Sequence, residues 1–452
     1  MAENHQIIVI GAGASGMMAA GRAAEMGAKV LLLEKMERPG KKILITGNGR
    51  CNLSNSLDMD SFIAQFGPFG KLRAGSNGHF LYSVFNRFFR DDLLALLGRY
   101  GIECKTEPTG KIYPTTDNAR DIVHAFRRYL AEGKVTVRFG VSVTGVTVEN
   151  GRVSGVQTTA GNLPASAVII AAGGLSHPQT GSTGDGFRIG AALGHTVVKL
   201  RPGLVPLVVT DIEQAKEMMG ASLRSARVTS FQSQRGEIDP SLVPGVDVGR
   251  GMAGKRPKPP NIESRTGDAI VTHFGLSGPV ILEMSLAIVD ALENGPVSVS
   301  IDLMPERDKV TLRTELQEAF DRHSKRTYRN TIRDFLPQKL VEPFVSMTGV
   351  PPDKLGNQIA FEERESLLNK LKSLRFDIKG AYSMSTAMVT AGGVSLKEIN
   401  PHTMASRLVE GLYFCGEVMD LDAGTGGFNL QAAFSTGFVA GENAASFVLT
   451  KR

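Results

Sequence analysis

Short apolar runs and a glycine turn organise the start of the chain into strands and a helix. Two runs of strand length, Ile7–Ile10 and Val30–Leu33, flank an alanine-rich stretch that has helical spacing. A glycine-bearing turn, Gly11–Gly16, separates the first run from this helix. A buried strand, a glycine turn, a helix and a second buried strand in this order predict the beginning of a parallel α/β sheet.

The alternation between strands and helices continues to about residue 200. The hydrophobic pattern predicts an amphipathic helix over Asp121–Glu132, which ends at Gly133. Further strands are predicted over Val135–Val148, Val153–Val156 and Ala167–Ala171.

The pattern changes twice in the second half of the chain. Short β-branched runs between prolines and glycines predict a β-rich segment over 201–303, within which 244–267 is a loop rich in proline, glycine and basic residues. Residues 308–375 have helical spacing, with many charges. From residue 379 the chain returns to strand, glycine turn and a helix from about 430 to 445.

These patterns predict an α/β protein in which one domain is interrupted by an insertion. We expect a discontinuous dinucleotide-binding domain over 1–200 and 380–452, a β-rich insert over 201–305 and a helical subdomain over 306–379.

The first glycine turn predicts a pocket for an adenine dinucleotide. Gly11 permits the tight turn, Gly13 lets the backbone approach a pyrophosphate, and Gly16 lets the helix pack close to the strand. The helix N-terminus then presents unpaired N–H groups and a positive dipole end to the phosphates. Glu34, at the end of the second strand, is placed to accept both ribose hydroxyls.

A second glycine-rich corner near the C-terminus favours a flavin over a nicotinamide. The apolar strand within Gly411–Glu417 ends in a glycine and an acid, which can hold ribityl hydroxyls. The helix that follows Gly424–Gly427 can stabilise the negative charge that a reduced flavin carries near N1 and O2. The alternative is a glycine-rich connection with capping residues only.

Two further segments suit the same cofactor. Ala171–Gly174 is a strand-end turn, and the loop at 39–55 carries glycines, an arginine and amide side chains that can wrap phosphates or the isoalloxazine edge. Cys51 in this loop suggests redox chemistry, but no other cysteine is near it in sequence, so we interpret it as a packing residue.

Composition and charge exclude few classes of protein. The chain has 452 residues, 42% hydrophobic and 21% charged, as in an ordinary globular protein. It has no apolar run long enough for a membrane span, and its N-terminal strand leads directly into the glycine turn, unlike a signal peptide. The three cysteines form no close pair, which predicts a cytoplasmic protein without a disulfide framework or metal site.

A net charge of +6 is compatible with a polyanionic partner without requiring one. Basic residues cluster with Tyr328 in one helical stretch, where they could grip RNA phosphates; they are Arg322, Lys325, Arg326, Arg329, Arg333 and Lys339. A second group lies in the proline-rich loop: Arg250, Lys255, Arg256 and Lys258. The alternative is a solvated helix face, because Asp321, Asp334 and Glu342 are interspersed.

The combined motifs resemble the BaiN/RdsA family of NAD(P)/FAD-dependent oxidoreductases over nearly the whole chain. The matching stretches are Gly11–Gly16, Thr46–Asn52, Gly173–Gly186, Pro202–Leu207, Thr272–Pro279, Val389–Val394 and Gly411–Gln431. The resemblance implies a Rossmann-like FAD domain of the glutathione-reductase type, a β-barrel-like insert and a small helical subdomain. Two features depart from the family pattern: Ala432 replaces a usual tryptophan, and the loop at 244–267 is longer and more basic.

The motifs and the resemblance together predict a set of FAD-binding residues. They are Gly11, Gly13, Ala14, Ser15, Gly16, Glu34, Lys35, Lys42, Gly47, Gly49, Arg50, Cys51, Asn52, Val143, Ala172, Gly173, Gly174, Gly416, Glu417, Gly427, Asn429, Leu430 and Gln431.

The sequence contains no second strand–GxGxxG–helix unit for a nicotinamide cofactor, so we expect NAD(P)H to reach the flavin only transiently. Candidate proton donors are His273, His177 and Tyr382. For each of them the alternative is a hydrogen-bonded structural side chain.

Members of the resembled family are assigned to reduction of uridine to dihydrouridine in large-subunit ribosomal RNA, to reductive steps on steroid enones and to amine oxidation. Our first hypothesis is an FAD-dependent oxidoreductase that uses NAD(P)H to reduce a conjugated C=C bond. In the most specific form of this hypothesis, the substrate is a uridine in 23S ribosomal RNA. The second is a flavin oxidase or dehydrogenase of a small amine or acid. The third is an RNA-binding protein whose FAD is structural.

Overall fold

A computed structural model of the protein describes residues 5–67, 77–232 and 261–450. The strands are β1 Ile7–Ile10, β2 Val30–Glu34, β3 Ser54–Asn55, β4 Cys104–Thr106, β5 Lys111–Pro114, β6 Thr136–Phe139, β7 Val143–Glu149, β8 Arg152–Thr158, β9 Gly161–Pro164, β10 Ala167–Ile170, β11 Val197–Gly203, β12 Leu207–Val209, β13 Ser222–Gln232, β14 Asn261–Thr272, β15 Gly275–Ser277, β16 Val297–Asp302, β17 Leu374–Ala381, β18 Val389–Val394 and β19 Leu412–Phe414.

The helices are α1 Ala14–Glu25, α2 Met59–Ala64, α3 Leu81–Phe85, α4 Arg90–Arg99, α5 Ala119–Glu132, α6 Asp185–Ala192, α7 Ile212–Glu217, α8 Pro279–Leu292, α9 Lys309–Arg322, α10 Tyr328–Ile332, α11 Val341–Thr348, α12 Phe361–Lys372 and α13 Phe428–Thr450. The chain divides into two compact units, one over Met1–Pro202 and Met384–Arg452, the other over Gly203–Ser383.

The first unit is built on a parallel sheet with the strand order β19-β10-β1-β2-β6. Every residue of β1 and of β10 is buried, as expected for strands that are covered on both faces. Because the strands are parallel, their carboxyl ends meet at one edge, where open α/β sheets bind ligands. The predicted α/β fold is confirmed.

Helices α1 and α13 cross at very short range within this unit. A Cβ atom on Gly437 would lie 2.3 Å from the Ser15 carbonyl oxygen, and one on Gly441 would lie 2.2 Å from the Ala19 carbonyl oxygen. These separations are shorter than any van der Waals contact, so only glycine fits at either position. The helix predicted from about 430 to 445 is α13, which begins slightly earlier and continues to Thr450.

The second unit contains a closed barrel with the strand order β12-β15-β14-β13-β16-β17. Alternate residues of β17, which are Leu374, Phe376 and Ile378, are buried, and they share one hydrophobic core with the helices α9–α12. The barrel-like insert implied by the family resemblance is therefore present. Residues 374–379, which we expected in the helical subdomain, form this barrel strand because their apolar positions have period two rather than 3.6.

Two local predictions in the same unit were wrong. Helix α8, which has a proline in its first turn, lies inside the segment predicted to be β-rich. The loop predicted over 244–267 ends earlier, because Asn261–Thr272 forms strand β14, which pairs with β13. The basic loop residues Arg250, Lys255, Arg256 and Lys258 lie outside the described residues.

In the part of the chain that the structure describes, every helix is too short or too polar to cross a lipid bilayer.

The crossing of α1 and α13 generates a stability prediction. Gly441→Ala should lower the free energy of unfolding by about 1–3 kcal/mol, because its methyl group collides with rigid backbone rather than with a flexible side chain. Chemical denaturation measures the change.

Gly98→Ala is the matched control, because Gly98 is an exposed glycine of α4 whose Cβ would meet nothing within 4 Å. This control should raise stability by about 0.5–1 kcal/mol through helix propensity. Equal effects of the two substitutions would contradict the close crossing.

Candidate functional site

The turn between β1 and α1 is as tight as the sequence predicts. Gly11 has φ +99°, and a Cβ atom on Gly16 would lie 1.8 Å from the Gly11 carbonyl oxygen. A Cβ atom on Gly13, in contrast, would meet nothing within 4 Å. The turn therefore packs closely on its protein side and leaves open space beside Gly13, where a pyrophosphate needs access to the backbone.

The N-terminus of α1 is not capped by a side chain. Four other helices, α2, α5, α7 and α9, are capped by the side chains of Asp58, Asn118, Asp211 and Asp308. Helix α1 begins instead at Gly13 and has no acidic residue in its first turn. Its first N–H groups, from Ala14 and Ser15 onward, are thus left for a ligand, and an anion is the ligand that the helix dipole favours.

Glu34 stabilises the turn between β1 and α1 through backbone hydrogen bonds. Its Oε2 accepts a hydrogen bond of 2.7 Å from the Ala12 N–H, and its Oε1 accepts one of 2.9 Å from the Met36 N–H. Each carboxylate oxygen has a second lone pair, so Glu34 can hold the turn and still accept ribose hydroxyls.

The second glycine corner lies against the first turn of α1. Gly416 has φ +77°, and a Cβ atom there would lie 2.5 Å from the Ser15 Oγ. The Gly416 N–H donates to Thr436 Oγ1 of α13 at 3.0 Å. Two corners that are separated by almost the whole chain therefore meet at one helix terminus.

Glu417, the next residue, joins three other segments of the first unit. Its Oε2 accepts from Lys42 Nζ at 2.5 Å, and its Oε1 accepts from Ser176 Oγ at 3.0 Å and from the Thr390 N–H at 2.9 Å. A Cβ atom on Gly174 would lie 2.9 Å from this Oε1, so a larger residue there would displace the carboxylate. We refer to Lys42, Ser176, Thr390 and Glu417 as the carboxylate cluster.

The charged groups of the carboxylate cluster, Lys42 and Glu417, are partly buried. Burial by itself raises the pKa of Glu417, but the Lys42 ammonium and the hydrogen bonds from Thr390 and Ser176 outweigh burial and hold this pKa below its ordinary value. Glu417 is therefore ionised at neutral pH. Three of its acceptor positions are already used by protein donors, which leaves less capacity for ribityl hydroxyls than the sequence suggested.

His177 directly follows Ser176 of the carboxylate cluster, and its backbone is strained, with φ +52°. Burial and the nearby Lys42 charge lower the pKa of His177, and Glu417 opposes them only in part. The ring is therefore neutral at pH 7. The Gln179 Nε2 lies 3.3 Å from Nδ1, and because an amide nitrogen only donates, the ring proton is assigned to Nε2.

The loop after β2 has an unusual backbone. Positive φ angles occur at Gly47, Asn48, Gly49 and Cys51. The Arg50 guanidinium forms ion pairs with Glu107 and Asp117 and lies 3.9 Å from the centroid of the Tyr113 ring. These partners engage the Arg50 guanidinium in the described structure, and its predicted contact with the phosphates or the isoalloxazine edge stays a prediction.

Cys51 is fully buried, and burial raises the pKa of its thiol to about 12. A thiol that stays protonated at neutral pH is a poor nucleophile. This agrees with the packing role that we preferred for Cys51 over a redox role.

The glycine-rich turn before α13 is tied to the loop after β2. With its amide oxygen facing Gly427, Asn52 accepts from the Gly427 N–H at 3.0 Å. A Cβ atom on Gly427 would lie 2.4 Å from the Ser54 carbonyl oxygen. Asn429 closes the turn from the other side, because its amide accepts from the Ala423 N–H at 2.9 Å and donates to the Ala423 carbonyl at 2.8 Å.

The other predicted cofactor residues lie at several places in the first unit. Lys35 forms an ion pair of 2.6 Å with Asp185, and Gln431 is fully buried with its amide donating to Ser435 Oγ at 3.0 Å. The remaining four occupy strand ends and turns: Val143 starts β7, Ala172 and Gly173 follow β10, and Leu430 lies in the first turn of α13.

His273 and Tyr382 belong to the second unit. They come together there around Phe274, whose ring centroid lies 5.0 Å from that of His273 and 4.2 Å from that of Tyr382. Of the three predicted proton donors, His177 belongs to the same unit as the carboxylate cluster.

The basic helical stretch is largely neutralised by acids, which favours the solvated face over an RNA-binding one. Arg326 pairs with Asp334 at 2.8 Å, and Arg329 pairs with Glu342 at 3.0 Å. Arg322 lies 3.9 Å from Glu318. Within the described residues, the three members of the predicted RNA-binding set that form no ion pair are Lys325, Arg333 and Lys339.

Sequence reasoning missed three side chains that organise this site: Ser176, Thr390 and Thr436. Ser176 and Thr390 lie in stretches that matched the resembled family, but a single hydroxyl residue carries no local pattern that predicts its partner. Their roles follow from contacts between different segments, such as those of Ser176 with Thr390 and Glu417 and that of Thr436 with Gly416.

Comparison with known proteins supports this fold. The model of the HI0933-like protein Rossmann domain family matches residues 5–443. The chain is 31% identical to a ribosomal RNA dihydrouridine synthase from Escherichia coli strain K12, over 98% of each chain. It is 30% identical to a 3-dehydro-bile acid delta(4,6)-reductase from Clostridium scindens, over 98% of this chain and 99% of that one.

Among solved structures, the fold is similar to that of a 3-ketosteroid-delta4-(5alpha)-dehydrogenase from Rhodococcus jostii RHA1. The TM-score is 0.50 at 14% identity, and the match covers 98% of this chain and 97% of that one. At this identity the similarity concerns the fold alone.

The carboxylate cluster generates a second stability prediction. Lys42→Met should lower the free energy of unfolding by about 1–3 kcal/mol at neutral pH, because it leaves the Glu417 carboxylate without its cation. The difference from the parent should shrink as the pH falls and Glu417 becomes protonated, because a neutral carboxyl group needs no cation. Urea denaturation from neutral to acidic pH measures both effects.

Lys41→Met is the matched control, because the adjacent Lys41 pairs with the exposed Glu37. It should change stability by no more than about 0.5 kcal/mol. If Lys42→Met were as stable as this control at neutral pH, the Lys42–Glu417 ion pair would not stabilise the Glu417 carboxylate.

Proposed function

The chain belongs to the HI0933-like Rossmann family, and on that basis we propose that it is an FAD-dependent oxidoreductase that uses NAD(P)H to reduce a conjugated C=C bond. The observation that carries the proposal is the meeting of the two glycine corners at the uncapped N-terminus of α1. FAD presents a pyrophosphate and two sugar-like chains, and the two glycine corners suit these groups.

The residues of the first unit fit FAD in stated roles. The N–H groups at Gly13–Ser15 would bind the pyrophosphate, and Glu34 would accept the ribose hydroxyls. Gly416 and the turn before α13 would lie along the remainder of the cofactor. FAD, when bound, supplies a two-electron carrier that takes hydride from NAD(P)H and gives it to the acceptor.

The net reaction adds two hydrogens across the C=C bond. One arrives as the hydride of NAD(P)H, which leaves as NAD(P)⁺, and the other arrives as a proton from water. A conjugated carbonyl oxygen gains negative charge as the hydride adds, so a hydrogen-bond donor beside that oxygen lowers the barrier.

We assign that donor to His177. Its lowered pKa keeps the ring neutral, and a neutral imidazole is a weak acid, so it suits hydrogen bonding from Nε2 better than proton donation. The proton donor predicted from the sequence thus becomes, in this proposal, a group that polarises the acceptor.

As substrate we propose a uridine of large-subunit ribosomal RNA, reduced to dihydrouridine in the cytoplasm. The full-length similarity to the ribosomal RNA dihydrouridine synthase of Escherichia coli supports this choice. RNA contact through the helical stretch would depend on Lys325, Arg333 and Lys339, since Arg322, Arg326 and Arg329 lie beside carboxylates.

The cofactor part of the proposal is tested by anaerobic titration. The purified protein should be yellow, and NADH or NADPH should bleach its flavin absorbance. A yellow protein that neither nucleotide bleaches would contradict the proposed reductant, while peroxide formed from an amine would point to an oxidase instead.

The substrate is tested by mass spectrometry of ribosomal RNA nucleosides from a strain that lacks the gene. The expected result is the loss of one dihydrouridine, restored by the intact gene. An unchanged nucleoside profile would rule out this substrate and leave a small enone as the acceptor to examine.

The role proposed for His177 is tested by measuring two half-reactions separately: reduction of the flavin by NAD(P)H and reduction of the acceptor by the flavin. His177→Ala should slow reduction of the acceptor by about 100-fold, the usual effect of removing one donor to a developing oxyanion. The rate of flavin bleaching by NAD(P)H should stay within about threefold of the parent. Stopped-flow absorbance measures both rates.

His402→Ala, which changes an exposed histidine of the same unit, is the control and should alter neither rate. Equal slowing of both half-reactions by His177→Ala would indicate a structural role instead.

A further inference from the structure

Three aromatic side chains form an exposed group on the second unit. Tyr382 directly follows β17, and His273 and Phe274 lie in the turn between β14 and β15. The Phe274 and Tyr382 rings are stacked, with 4.2 Å between their centroids and 23° between their planes. The His273 ring stands edge-on to Phe274 at 5.0 Å and 84°. We refer to these three residues as the aromatic shelf.

The outer face of the aromatic shelf is open to solvent. Tyr382 is 47% exposed although Phe274 covers one face of its ring. The exposed area therefore belongs to the other face and to the edges of the ring. A large aromatic surface left in water costs free energy that burial would recover, so an exposed stack of this kind indicates a binding surface.

The aromatic shelf is held in place by the barrel. The Tyr382 N–H donates to the Pro206 carbonyl at 2.9 Å, and Ala381 before it is paired with β12. The Thr272 Oγ1 accepts from the Gly275 N–H at 3.2 Å, which fixes the turn that carries His273 and Phe274. A ligand that stacks here would not have to order the surface first, which removes one cost of binding.

The chemistry of the aromatic shelf fits a flat ring with a polar edge. The open face of Tyr382 offers stacking, and the exposed His273 ring adds nitrogen atoms that can hydrogen-bond. Nucleobases in single-stranded RNA combine these two properties, because each has a π-face for stacking and donors and acceptors along its edge. A purely apolar ring system would leave the imidazole unused.

We propose that the aromatic shelf binds a nucleobase of single-stranded RNA by stacking on Tyr382, an inference that rests on the proposed ribosomal RNA substrate. In this proposal His273 and Tyr382, which the sequence suggested as proton donors, are substrate-binding residues. Phe274 stacks on the opposite face of the Tyr382 ring and does not contact the base.

The test measures the binding of a short fluorescent oligouridylate and of heparin to the full-length, flavin-loaded protein. Tyr382→Ala should weaken oligouridylate binding by about 5- to 100-fold, the range for the loss of one stacked base. Tyr382→Phe, which keeps the ring, should stay within about twofold of the parent. Heparin has no bases, so its affinity should be the same in all variants.

Phe361→Ala is the matched control, because Phe361 is another exposed aromatic residue of the same unit, with 55% of its surface exposed, and lies on α12. It should leave oligouridylate binding unchanged. The circular dichroism spectrum and the melting temperature, measured in every variant, check that the fold is intact.

Three results would overturn the proposal: no binding of oligouridylate by the parent, an affinity of Tyr382→Ala within twofold of the parent, or an equal loss in Phe361→Ala. Failure of the proposed function gives a different pattern. In that case the parent binds oligouridylate through Tyr382, but neither NADH nor NADPH bleaches the flavin.

Discussion

Close backbone packing around the first turn of α1 is the constraint on which the site depends. Gly16 allows the turn to close on Gly11, while Gly416 and Gly437 let two distant segments reach Ser15. A methyl group at any of the three glycines would collide with atoms of this turn. Because close packing surrounds the turn while Gly13 faces open space, the helix N-terminus is both rigid and accessible. In the proposed function, this uncapped helix terminus would bind the pyrophosphate of FAD.

The carboxylate cluster adds an electrostatic constraint to this steric one. Glu417 joins the ends of strands β19, β10 and β18 to the loop after β2 through Ser176, Thr390 and Lys42. A partly buried ion pair seldom contributes much net stability, because its desolvation cost is close to its Coulomb gain. Its value lies in fixing the positions of four segments and in placing the Lys42 ammonium near His177. Burial and the Lys42 charge lower the pKa of His177 and keep its imidazole neutral, although Glu417 opposes them in part.

Local patterns predicted the part of the fold that local physics determines. The β1–turn–α1–β2 unit follows from strand length, helical spacing and glycine positions, and the structure has each element where the pattern placed it. Helix α8 was missed because a continuous apolar run does not by itself distinguish a helix from a buried strand. The ion pairs of Arg50 with Glu107 and Asp117 could not be predicted, because no local pattern in the sequence connects these residues. The same holds for Thr390 and Thr436, whose roles come from tertiary contacts with Glu417 and Gly416.

Reconstitution with FAD tests the central claim, that two glycine corners at the N-terminus of α1 form one FAD site, more directly than any activity. Protein stripped of its flavin should take up one FAD per chain, with the return of flavin absorbance and a melting temperature that rises with FAD concentration, because a ligand that binds the folded state stabilises it by mass action. A protein that remains colourless and melts at the same temperature with and without FAD would contradict the account.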